Sequence, residues 1–357
     1  MKKTLDETFV KDLVTGMIDC KKIHSAVIRV ENGDGTLVLK AAAGDMKSDD
    51  RYFIASVTKL YVTAVVMMLK DQKRLSLDDK IVKYFPQDML SRLHVLDGVD
   101  YTEEITIKHL ISNTSGIPDY FFGKTESGKK AATELLEGKD EAWPLERILE
   151  TVRNIKPRFR PGQKGKALYS DTNYELMGAI IEKITEKPID VVFKKFIFDR
   201  LGLQNTYCFK DENDKTPAQL YYKTRPVHLP KYMASVTVEG GIVSTAEEVM
   251  RFLKAFFAGE FFPAEDINNL KHWNLVFGPG LFQYGIGLEK FYLPFFMKPF
   301  YPIGETLGFW GQTSAFAWYN VPNDVYFTGT ANQLGGRGHS LISRAILKMI
   351  KAKARES

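Results

Sequence analysis

The sequence predicts an α+β protein, in which an antiparallel sheet formed from both chain termini is flanked by helices and an all-helical domain is inserted. Strand-like segments lie near both ends of the chain, and helical patterns fill its middle. The 357 residues are also too many for one simple core. We expect residues 1–60 and 235–357 to form the discontinuous α/β sheet domain and residues 61–234 the mainly helical one. Because ligand sites favour seams between domains, the active site is expected between the two.

The first forty residues predict a helix followed by a β-hairpin. Apolar residues recur at helical spacing over residues 5–19. Two β-patterned segments follow at 24–30 and 36–40, with Asn-Gly-Asp-Gly at 32–35 between them. An Asn-Gly pair between two such segments is typical of a tight hairpin turn. The sheet is therefore expected to begin with this hairpin.

A buried helix that begins near Ser56 carries the main candidate for chemistry. The residues that follow, up to Lys70, are mostly apolar and include no Gly or Pro. A serine at the first turn can cap the helix, and it also suits a nucleophile because the helix dipole stabilises nearby negative charge. Lys59 lies three residues on and shares a helix face with Ser56. Burial of its ammonium favours the neutral form, which can accept the proton of the serine hydroxyl.

The Ser-x-x-Lys spacing is a weak signal by itself. A second copy occupies residues 127–130, in a polar segment expected to be exposed, and we interpret it as accidental. Helix caps followed by a lysine are common. The functional interpretation of Ser56 therefore depends on its apolar helix and on partners further along the chain.

The middle of the chain contains further helices and one polar insertion. A capping signature at Ser76 predicts another helix. Residues 120–143 are polar without strand patterning and are interpreted as a surface insertion or lid. A long helix is expected from about Thr172, and residues 205–235 are irregular. Another helix is predicted over residues 246–257.

The C-terminal third turns from irregular to β. Residues 258–305 are rich in Phe, Pro and Gly and could line a pocket. Two strands are predicted at 315–319 and 325–330, with Val-Pro-Asn-Asp at 321–324 as the turn between them. A final helix is expected over residues 340–354.

Composition argues against several classes of function. The net charge of +5 is spread along the chain, without a basic block interleaved with aromatic residues, so nucleic acid is not an expected partner. Cys20 and Cys208 form neither a disulfide framework nor a zinc pattern, which fits a reducing compartment. The first residues acquire acids where a signal peptide needs an apolar run, and no stretch is long enough to span a membrane. We expect a cytoplasmic protein without stable membrane insertion, and its oligomeric state stays open.

Several segments, in this order, resemble the serine β-lactamase and penicillin-binding-protein-like family, in particular its class C β-lactamase, esterase and D-aminopeptidase branch. The matching segments are Phe-Ile-Ala-Ser-Val-Thr-Lys at 53–59, Leu-Ile-Ser-Asn-Thr-Ser-Gly-Ile-Pro at 110–118, Pro-Gly at 161–162, Tyr-Ser-Asp-Thr-Asn-Tyr at 169–174, Leu-Gly-Leu-Gln-Asn-Thr at 201–206, Gly-Gly-Ile-Val-Ser-Thr at 240–245, Tyr-Gly-Ile-Gly at 284–287 and Thr-Ala-Asn-Gln at 330–333. The resemblance covers about residues 20–350 and implies a β-lactamase-like fold.

The resemblance also implies the roles of the catalytic residues. Ser56 would be the nucleophile, Lys59 its partner, and Tyr169 a general acid or base. A tyrosine hydroxyl has an ordinary pKa of about 10, so Lys59 would have to lower the pKa of Tyr169. The N–H groups of Ser56 and Gln312 would form the oxyanion hole. No metal or organic cofactor is needed, the six histidines include no pair with metal-ligand spacing, and no Gly-x-Ser-x-Gly elbow occurs.

Three positions depart from the family pattern. Asn113 stands where a His is usual. Asp171 replaces the Asn of the Tyr-x-Asn motif, and its carboxylate would hold Lys59 charged and leave more of the proton transfer to Tyr169. In the third motif Phe309 replaces the usual cation, while Gly311 is retained and would let an edge strand approach the substrate.

The missing cation changes the expected substrate, since it normally helps to hold a substrate carboxylate. We predict acyl transfer from carboxylic esters or similarly uncharged small-molecule or short-peptide substrates. The alternatives are a D-amino-acid peptidase or amidase, a weak β-lactamase, and a non-catalytic homologue that binds a ligand or a protein. The predicted substrate-binding residues are Asp171, Asn113, Phe309, Trp310 and Gly311. Phe309 and Trp310 are equally compatible with the core, and His339 follows a Gly-rich loop and could approach the site.

Overall fold

The computed structural model describes residues 4–19, 23–124, 128, 130–276, 282–293 and 303–356. Cys20 and Ser127, the latter in the second Ser-x-x-Lys copy, lie outside these residues. The α-helices in the described part are α1 (Glu7–Thr15), α2 (Thr58–Asp71), α3 (Ile107–Ile111), α4 (Ala131–Leu136), α5 (Leu145–Arg153), α6 (Asp171–Thr185), α7 (Ile189–Phe193), α8 (Asp199–Leu201), α9 (Pro230–Ser235), α10 (Ala246–Ala258), α11 (Asp266–Asn269) and α12 (Gly336–Lys353).

Most of the strands belong to one large sheet. The strands in the described part are β1 (Ser25–Asn32), β2 (Val38–Gly44), β3 (Tyr52–Phe53), β4 (Val95–Leu96), β5 (Val99–Asp100), β6 (Tyr207–Cys208), β7 (Leu220–Tyr222), β8 (Arg225–Val227), β9 (Ile242–Ser244), β10 (Asn274–Leu275), β11 (Phe282–Tyr284), β12 (Glu289–Phe291), β13 (Thr306–Trp310), β14 (Phe316–Asn320), β15 (Val325–Thr330) and β16 (Gln333–Leu334). Eight of them pair in the order β10-β11-β12-β13-β14-β15-β1-β2, all antiparallel. The sheet therefore contains strands from both the N-terminal and the C-terminal part of the chain, as predicted.

Both faces of the central strands are covered. All six residues of β15 are buried, and β1 is buried except at two positions. One face carries α1 and α12, and the other packs against α2 and α10. A strand buried on both faces loses the alternation of apolar and polar residues that marks a half-exposed strand. The N-terminal hairpin, the two strands at 316–330 and the helices near 172, 246 and 340 are confirmed within a few residues.

The predicted helix at Ser76 is wrong. The Ser76 hydroxyl accepts from the Asp78 N–H, and the Asp79 carboxylate accepts from the Ser76 N–H. The chain then forms a 3₁₀ helix at Ile81–Tyr84. Residues that cap helices close turns through the same hydrogen bonds, so the sequence signal does not separate the two outcomes.

The expectation that Gly311 follows an edge strand is also wrong. Strand β13 lies inside the sheet, between β12 and β14, because β10, β11 and β12 extend the sheet beyond it. These three strands have only two or three residues each. Strands this short carry no periodic signal, so the sequence analysis found only an aromatic-rich segment there.

Several described residues of the polar segment at 120–143 pack against the rest of the protein. Helix α4 buries Ala131, Ala132 and Leu135, and Trp143 is buried as well. Residues 125–127 and 129 lie outside the description. No helix in the described part of the chain is long and apolar enough to cross a membrane.

Candidate active site

Ser56 lies in a 3₁₀ turn, Ala55–Val57, between strand β3 and helix α2. It precedes the α-helix and does not cap it through its side chain, contrary to the expectation. Ala55 has a positive φ of 46°, a conformation that costs a residue with a Cβ of the order of 1 kcal/mol or more. Strained backbone of this kind clusters at functional sites, where the surrounding structure holds it in place.

The structure brings the three predicted catalytic side chains together. The Lys59 Nζ donates to the Ser56 Oγ at 2.9 Å, and the Tyr169 hydroxyl donates to the same oxygen at 2.8 Å. Lys59 follows Ser56 on the buried face of α2 and is fully buried. Tyr169 reaches the serine from a segment 113 residues further along the chain. The serine oxygen thus lies between two groups that can exchange protons with it.

Asp171 contacts Lys59, as the sequence analysis expected. Its Oδ1 lies 2.7 Å from the Lys59 Nζ, and both side chains are almost completely removed from water. The Lys59 Nζ also donates to the Glu239 backbone carbonyl at 2.8 Å. Three oxygen atoms therefore surround the Lys59 Nζ, which can donate one hydrogen bond to each of them.

Tyr169 differs from the expectation in the direction of its pKa shift. Burial, followed by the negative charge of Asp171, raises the pKa of Tyr169 well above its usual value. The Lys59 Nζ lies 5.2 Å from the centre of the Tyr169 ring and does not reverse this effect. Tyr169 is therefore a neutral phenol in the resting protein, and it donates its proton towards Ser56.

Asp119 fixes the start of helix α6, which carries Asp171. Its carboxylate accepts from the Asp171 N–H at 3.1 Å and from the N–H groups of Phe121 and Phe122. Burial and the nearby charge of Asp171 raise the pKa of Asp119 to about 7. The Thr172 hydroxyl donates to the Pro118 carbonyl next to it. These bonds hold the segment that places the second motif beside Lys59.

Asn113 is not among the described residues that line the cavity beside Ser56, so its predicted contact with substrate does not fit its position. It is fully buried with a positive φ of 58°. Its Oδ1 accepts from the Ser170 N–H at 3.1 Å and from the Asn173 Nδ2 at 2.9 Å. An amide oxygen can accept both bonds at once, so Asn113 orients the residues on either side of Asp171.

The third motif packs closely against the serine turn. A Cβ at Gly311 would lie 2.4 Å from the Ile54 carbonyl oxygen, so a side chain has no room there. The Thr313 hydroxyl donates to the Phe53 carbonyl at 2.8 Å. Gln312 lies between these contacts and lines the same cavity as Ser56. The two N–H groups predicted for the oxyanion hole therefore belong to neighbouring segments.

Phe309 and Trp310 face opposite sides of the sheet, as successive residues of a strand do. Phe309 is fully buried, and its ring packs edge-on against Tyr284 at 5.7 Å. It does not line the cavity, so the prediction that it contacts substrate does not fit its position. Trp310 is buried but lines the cavity.

Ser56 opens into a cavity of about 660 Å³. Much of its wall is apolar: Phe121, Phe122, Leu135, Leu136, Leu229, Met233, Val236, Phe282 and Trp310. Three carboxyl side chains also line it, from Asp171, Glu239 and Glu289. Among the described residues that line this cavity there is no lysine or arginine. The site therefore offers apolar surface and acidic groups to a ligand.

Sequence reasoning missed two of these acids. Glu239 accepts from the hydroxyls of Tyr120 and Tyr232 at 2.6 and 2.9 Å, and burial raises its pKa well above its usual value. Glu289 accepts from the Trp310 N–H at 3.0 Å, and burial raises its pKa to about 8. Both lie in segments whose pattern predicts no buried carboxyl group. In the described part of the chain, no three His, Cys, Asp or Glu side chains are grouped to hold a metal ion.

The close contact at Gly311 predicts the effect of a single methyl group. In Gly311→Ala the new Cβ would collide with the Ile54 carbonyl and push the Gln312 peptide away from Ser56. Because one lost oxyanion donor costs about 10²–10³-fold in rate, we expect ester turnover to fall by at least about tenfold. Steady-state kinetics would measure this. Gly336→Ala is the matched control, since nothing lies within 4 Å of its added Cβ; equal activities of the two variants would contradict the prediction.

The fold and the contacts of Ser56 with Lys59 and Tyr169 are those of a protein of the β-lactamase fold. The chain belongs to the beta-lactamase family, whose model matches residues 10–348. Among solved structures it is similar to EstCE1, described as a hydrolase with promiscuous acyltransferase activity, with a TM-score of 0.78 and 20% identity over 97% of each chain. It is also similar to D-amino acid amidase from Ochrobactrum anthropi, with a TM-score of 0.78 and 18% identity over 96% of this chain and 99% of that one.

Curated relatives match over a shorter region. A putative D-alanyl-D-alanine carboxypeptidase from Escherichia coli is 30% identical over 178 residues, which cover 48% of this chain and 37% of that protein. The N-acetylmuramyl-L-alanine amidase of Bacillus subtilis is 26% identical over 57% of this chain and 45% of its own length. The chain thus spans less than half the length of these two relatives. At these identities the similar solved structures establish the fold, and the substrate has to be inferred from the site.

Proposed function

We propose that the protein hydrolyses uncharged carboxylic esters through an acyl-enzyme formed on Ser56. One observation carries this proposal: the Ser56 Oγ is held at hydrogen-bond distance from both Lys59 and Tyr169, beside a large and mainly apolar cavity. A nucleophile needs a neighbouring group that removes its proton, and a second group in contact can return a proton to the leaving group. A protein that only binds ligands has no need of this arrangement.

The proposed reaction has two halves. The Ser56 Oγ attacks the ester carbonyl carbon, its proton passes to the Lys59–Tyr169 pair, and the N–H groups of Ser56 and Gln312 stabilise the oxyanion. When the tetrahedral intermediate collapses, the carbon–oxygen bond to the leaving group breaks and the pair returns a proton to the departing alcohol. Water then attacks the acyl carbon, the pair takes a proton from that water, and it passes this proton to the Ser56 Oγ as the acid leaves.

The pair must lose one proton before it can act as a base. Lys59 forms an ion pair with Asp171, and the high pKa of Tyr169 keeps its phenol neutral. Both groups touch the Ser56 Oγ, so either can become the acceptor once one proton has left the pair. Asp171 therefore acts as an electrostatic anchor of Lys59, and we propose that it does not accept the serine proton.

The charges around the cavity support an uncharged substrate. The described lining residues offer three acidic side chains and no lysine or arginine to pair with a substrate carboxylate. A substrate carboxylate would lose its hydration in this cavity without a lysine or arginine among the described lining residues to pair with it, which is unfavourable. The cavity is bounded by residues from 61–234, such as Phe121, and by residues from 235–357, such as Trp310. This supports the proposed position of the site at the seam of two domains.

Amides of amino acids are a second candidate substrate, because the same acidic groups favour a ligand with a free ammonium group. Glu239 retains one buried carboxyl oxygen, Oε2, for which no described group provides a hydrogen bond. An ammonium group could supply that bond, and its positive charge would favour the ionised form of the Glu239 carboxyl group. The similar D-amino acid amidase of Ochrobactrum anthropi makes this class worth testing beside the esters.

A substrate panel separates these possibilities. We expect 4-nitrophenyl esters to be hydrolysed, with butyrate and hexanoate turned over faster than acetate because one buried CH₂ contributes about 0.8 kcal/mol, roughly fourfold, to binding in the apolar cavity. D-Phenylalanine amide should be turned over more slowly than the esters. A cephalosporin and a D-alanyl-D-alanine peptide, which carry carboxylates, should be the poorest substrates. The readout is kcat/KM, with Ser56→Ala as the control for background hydrolysis.

A different order of substrate preference would contradict the proposed ester hydrolysis and favour another function. Preferred turnover of the amide would assign the protein to the amino-acid amidases. Preferred turnover of the carboxylate substrates would contradict the argument from the cavity charges. No turnover by folded protein, together with tight binding of an apolar ester, would identify a non-catalytic binding protein.

A further inference from the structure

His339 lies at the cavity, although the proposed reaction does not use it. Its Nε2 is 2.9 Å from the Gly311 carbonyl oxygen. A carbonyl oxygen only accepts hydrogen bonds, so Nε2 carries the proton in this contact. Burial lowers the pKa of His339, which keeps the ring neutral. The ring is therefore fixed as a neutral imidazole that donates to Gly311.

The accepting carbonyl belongs to the peptide unit that supplies the proposed oxyanion donor. The C=O of Gly311 and the N–H of Gln312 are parts of one planar peptide group, and in the trans form they point in opposite directions. A donor that fixes the carbonyl on one side therefore fixes the direction of the N–H on the other. The bond to the carbonyl also polarises the peptide and strengthens its N–H as a donor.

The rest of this loop is anchored at positions that do not control that peptide. The Thr313 carbonyl accepts from the Thr330 hydroxyl at 3.0 Å and from the Gln333 N–H at 3.1 Å. The Thr313 hydroxyl bonds to Phe53. These bonds hold Thr313, and the Gly311 N–H donates to the Ala315 carbonyl at 2.8 Å. None of these bonds involves the C=O of Gly311 or the N–H of Gln312, and Gly311 has no Cβ to restrict rotation of the peptide that they form. The bond from His339 opposes such a rotation.

His339 is itself held in place. It lies in the first turn of α12, next to Gly338, where a Cβ would come within 2.1 Å of the Ser314 Oγ. Its ring packs edge-on against Trp310, with the ring centres 5.2 Å apart. The close approach at Gly338 positions the helix on the loop, and the Trp310 contact sets the orientation of the imidazole. The packing of α12 on the loop therefore determines where His339 lies at the cavity.

We propose that His339 is a positioning residue of the oxyanion hole. It holds the Gly311–Gln312 peptide so that the Gln312 N–H points at the oxygen of the tetrahedral intermediate. The inference rests on the proposed acyl transfer at Ser56 and concerns this site's geometry, not its substrate. Since the N–H bonds most strongly to the developing oxyanion, loss of His339 should affect kcat much more than KM.

The test compares a 4-nitrophenyl ester with its thionoester, in which sulfur replaces the carbonyl oxygen. Sulfur accepts hydrogen bonds weakly, so a working oxyanion hole favours the oxygen ester. His339→Phe keeps a ring against Trp310 but removes the donor, and His339→Gln restores an N–H at a similar reach. In His339→Phe we expect kcat for the oxygen ester to fall by about 10–100-fold with KM within about twofold, somewhat less than loss of an oxyanion donor itself. The oxygen-to-sulfur ratio of kcat/KM should fall by at least about tenfold, and His339→Gln should recover most of both.

Controls separate this inference from folding and from the proposed function. His272→Phe, at an exposed histidine, should leave the ratio unchanged. His339→Asn, which is too short to reach Gly311, replaces the Phe variant if the latter does not fold. A wild-type ratio in folded His339→Phe or His339→Asn would overturn the role of His339 and leave ester hydrolysis intact. Absence of ester turnover in the wild type would instead overturn the proposed function and this inference with it.

Discussion

Ser56→Ala is expected to lower kcat/KM for an aryl ester by about 10⁴-fold or more. The substitution removes the only atom of this side chain that contacts both Lys59 and Tyr169. Loss of the nucleophile in serine hydrolases costs on the order of 10⁶-fold in rate, and the residual activity comes from binding and the oxyanion hole. Stopped-flow or steady-state hydrolysis of the preferred 4-nitrophenyl ester would measure the loss.

The same variant should remain folded. Alanine leaves Lys59 with the Asp171 carboxylate and the Glu239 carbonyl as acceptors, and the two bonds that Lys59 and Tyr169 donate to the Ser56 Oγ are lost. One such loss costs about 1–3 kcal/mol in the free energy of unfolding. Ser127→Ala, in the second Ser-x-x-Lys copy, is the matched control and should retain full activity. Wild-type activity in Ser56→Ala, or a loss of activity in Ser127→Ala, would show that the nucleophile had been misassigned.

Lys59→Met should be costly for both activity and stability. Methionine fits the space of the lysine stem but cannot exchange a proton with Ser56, so we expect kcat/KM to fall by about 10³-fold or more. It also leaves the buried Asp171 carboxylate without its cation. Removing one partner of a buried ion pair typically destabilises a protein by about 3–5 kcal/mol. Urea unfolding of the variant should show a loss of this size.

The double variant Lys59→Met with Asp171→Asn distinguishes the two effects. It replaces the unpaired carboxylate by a neutral amide, so most of the lost free energy of unfolding should return while the activity stays low. Lys70→Met is the control on the same helix, because Lys70 forms a partly exposed pair with Asp266. Such a pair contributes about 0–1 kcal/mol. A double variant no more stable than Lys59→Met alone would contradict the proposed charge pairing.

The candidate catalytic residues could be placed from sequence because short motifs fix local geometry. Ser56 and Lys59 lie three residues apart, where the 3₁₀ turn runs into α2, and this spacing brings their side chains into contact. The pairing of Asp171 with Lys59 was expected from the family motif, which places this position beside the lysine. The antiparallel sheet followed from strand patterns at the two ends of the chain. Each of these features depends on a short stretch of sequence or on a recognisable motif, so it can be predicted without the folded structure.

The parts that sequence could not supply depend on long-range packing. The register of β13 against β12 and β14 decides whether Phe309 or Trp310 faces the cavity. This register cannot be derived from the sequence of β13 alone. The upward shift of the Tyr169 pKa depends on burial by the whole surrounding structure. Glu289 reaches the cavity on a strand of three residues, too short for a periodic signal. Each of these features requires the folded chain.

The most direct test of the central claim is the intact mass of the protein after incubation with a fluorophosphonate. An activated Ser56 displaces fluoride and forms one covalent adduct, whereas an ordinary serine hydroxyl does not react. We predict a single adduct on the wild type, none on Ser56→Ala, and one on Ser127→Ala. No adduct on folded wild type, or an adduct that persists in Ser56→Ala, would contradict the assignment of Ser56 as the nucleophile.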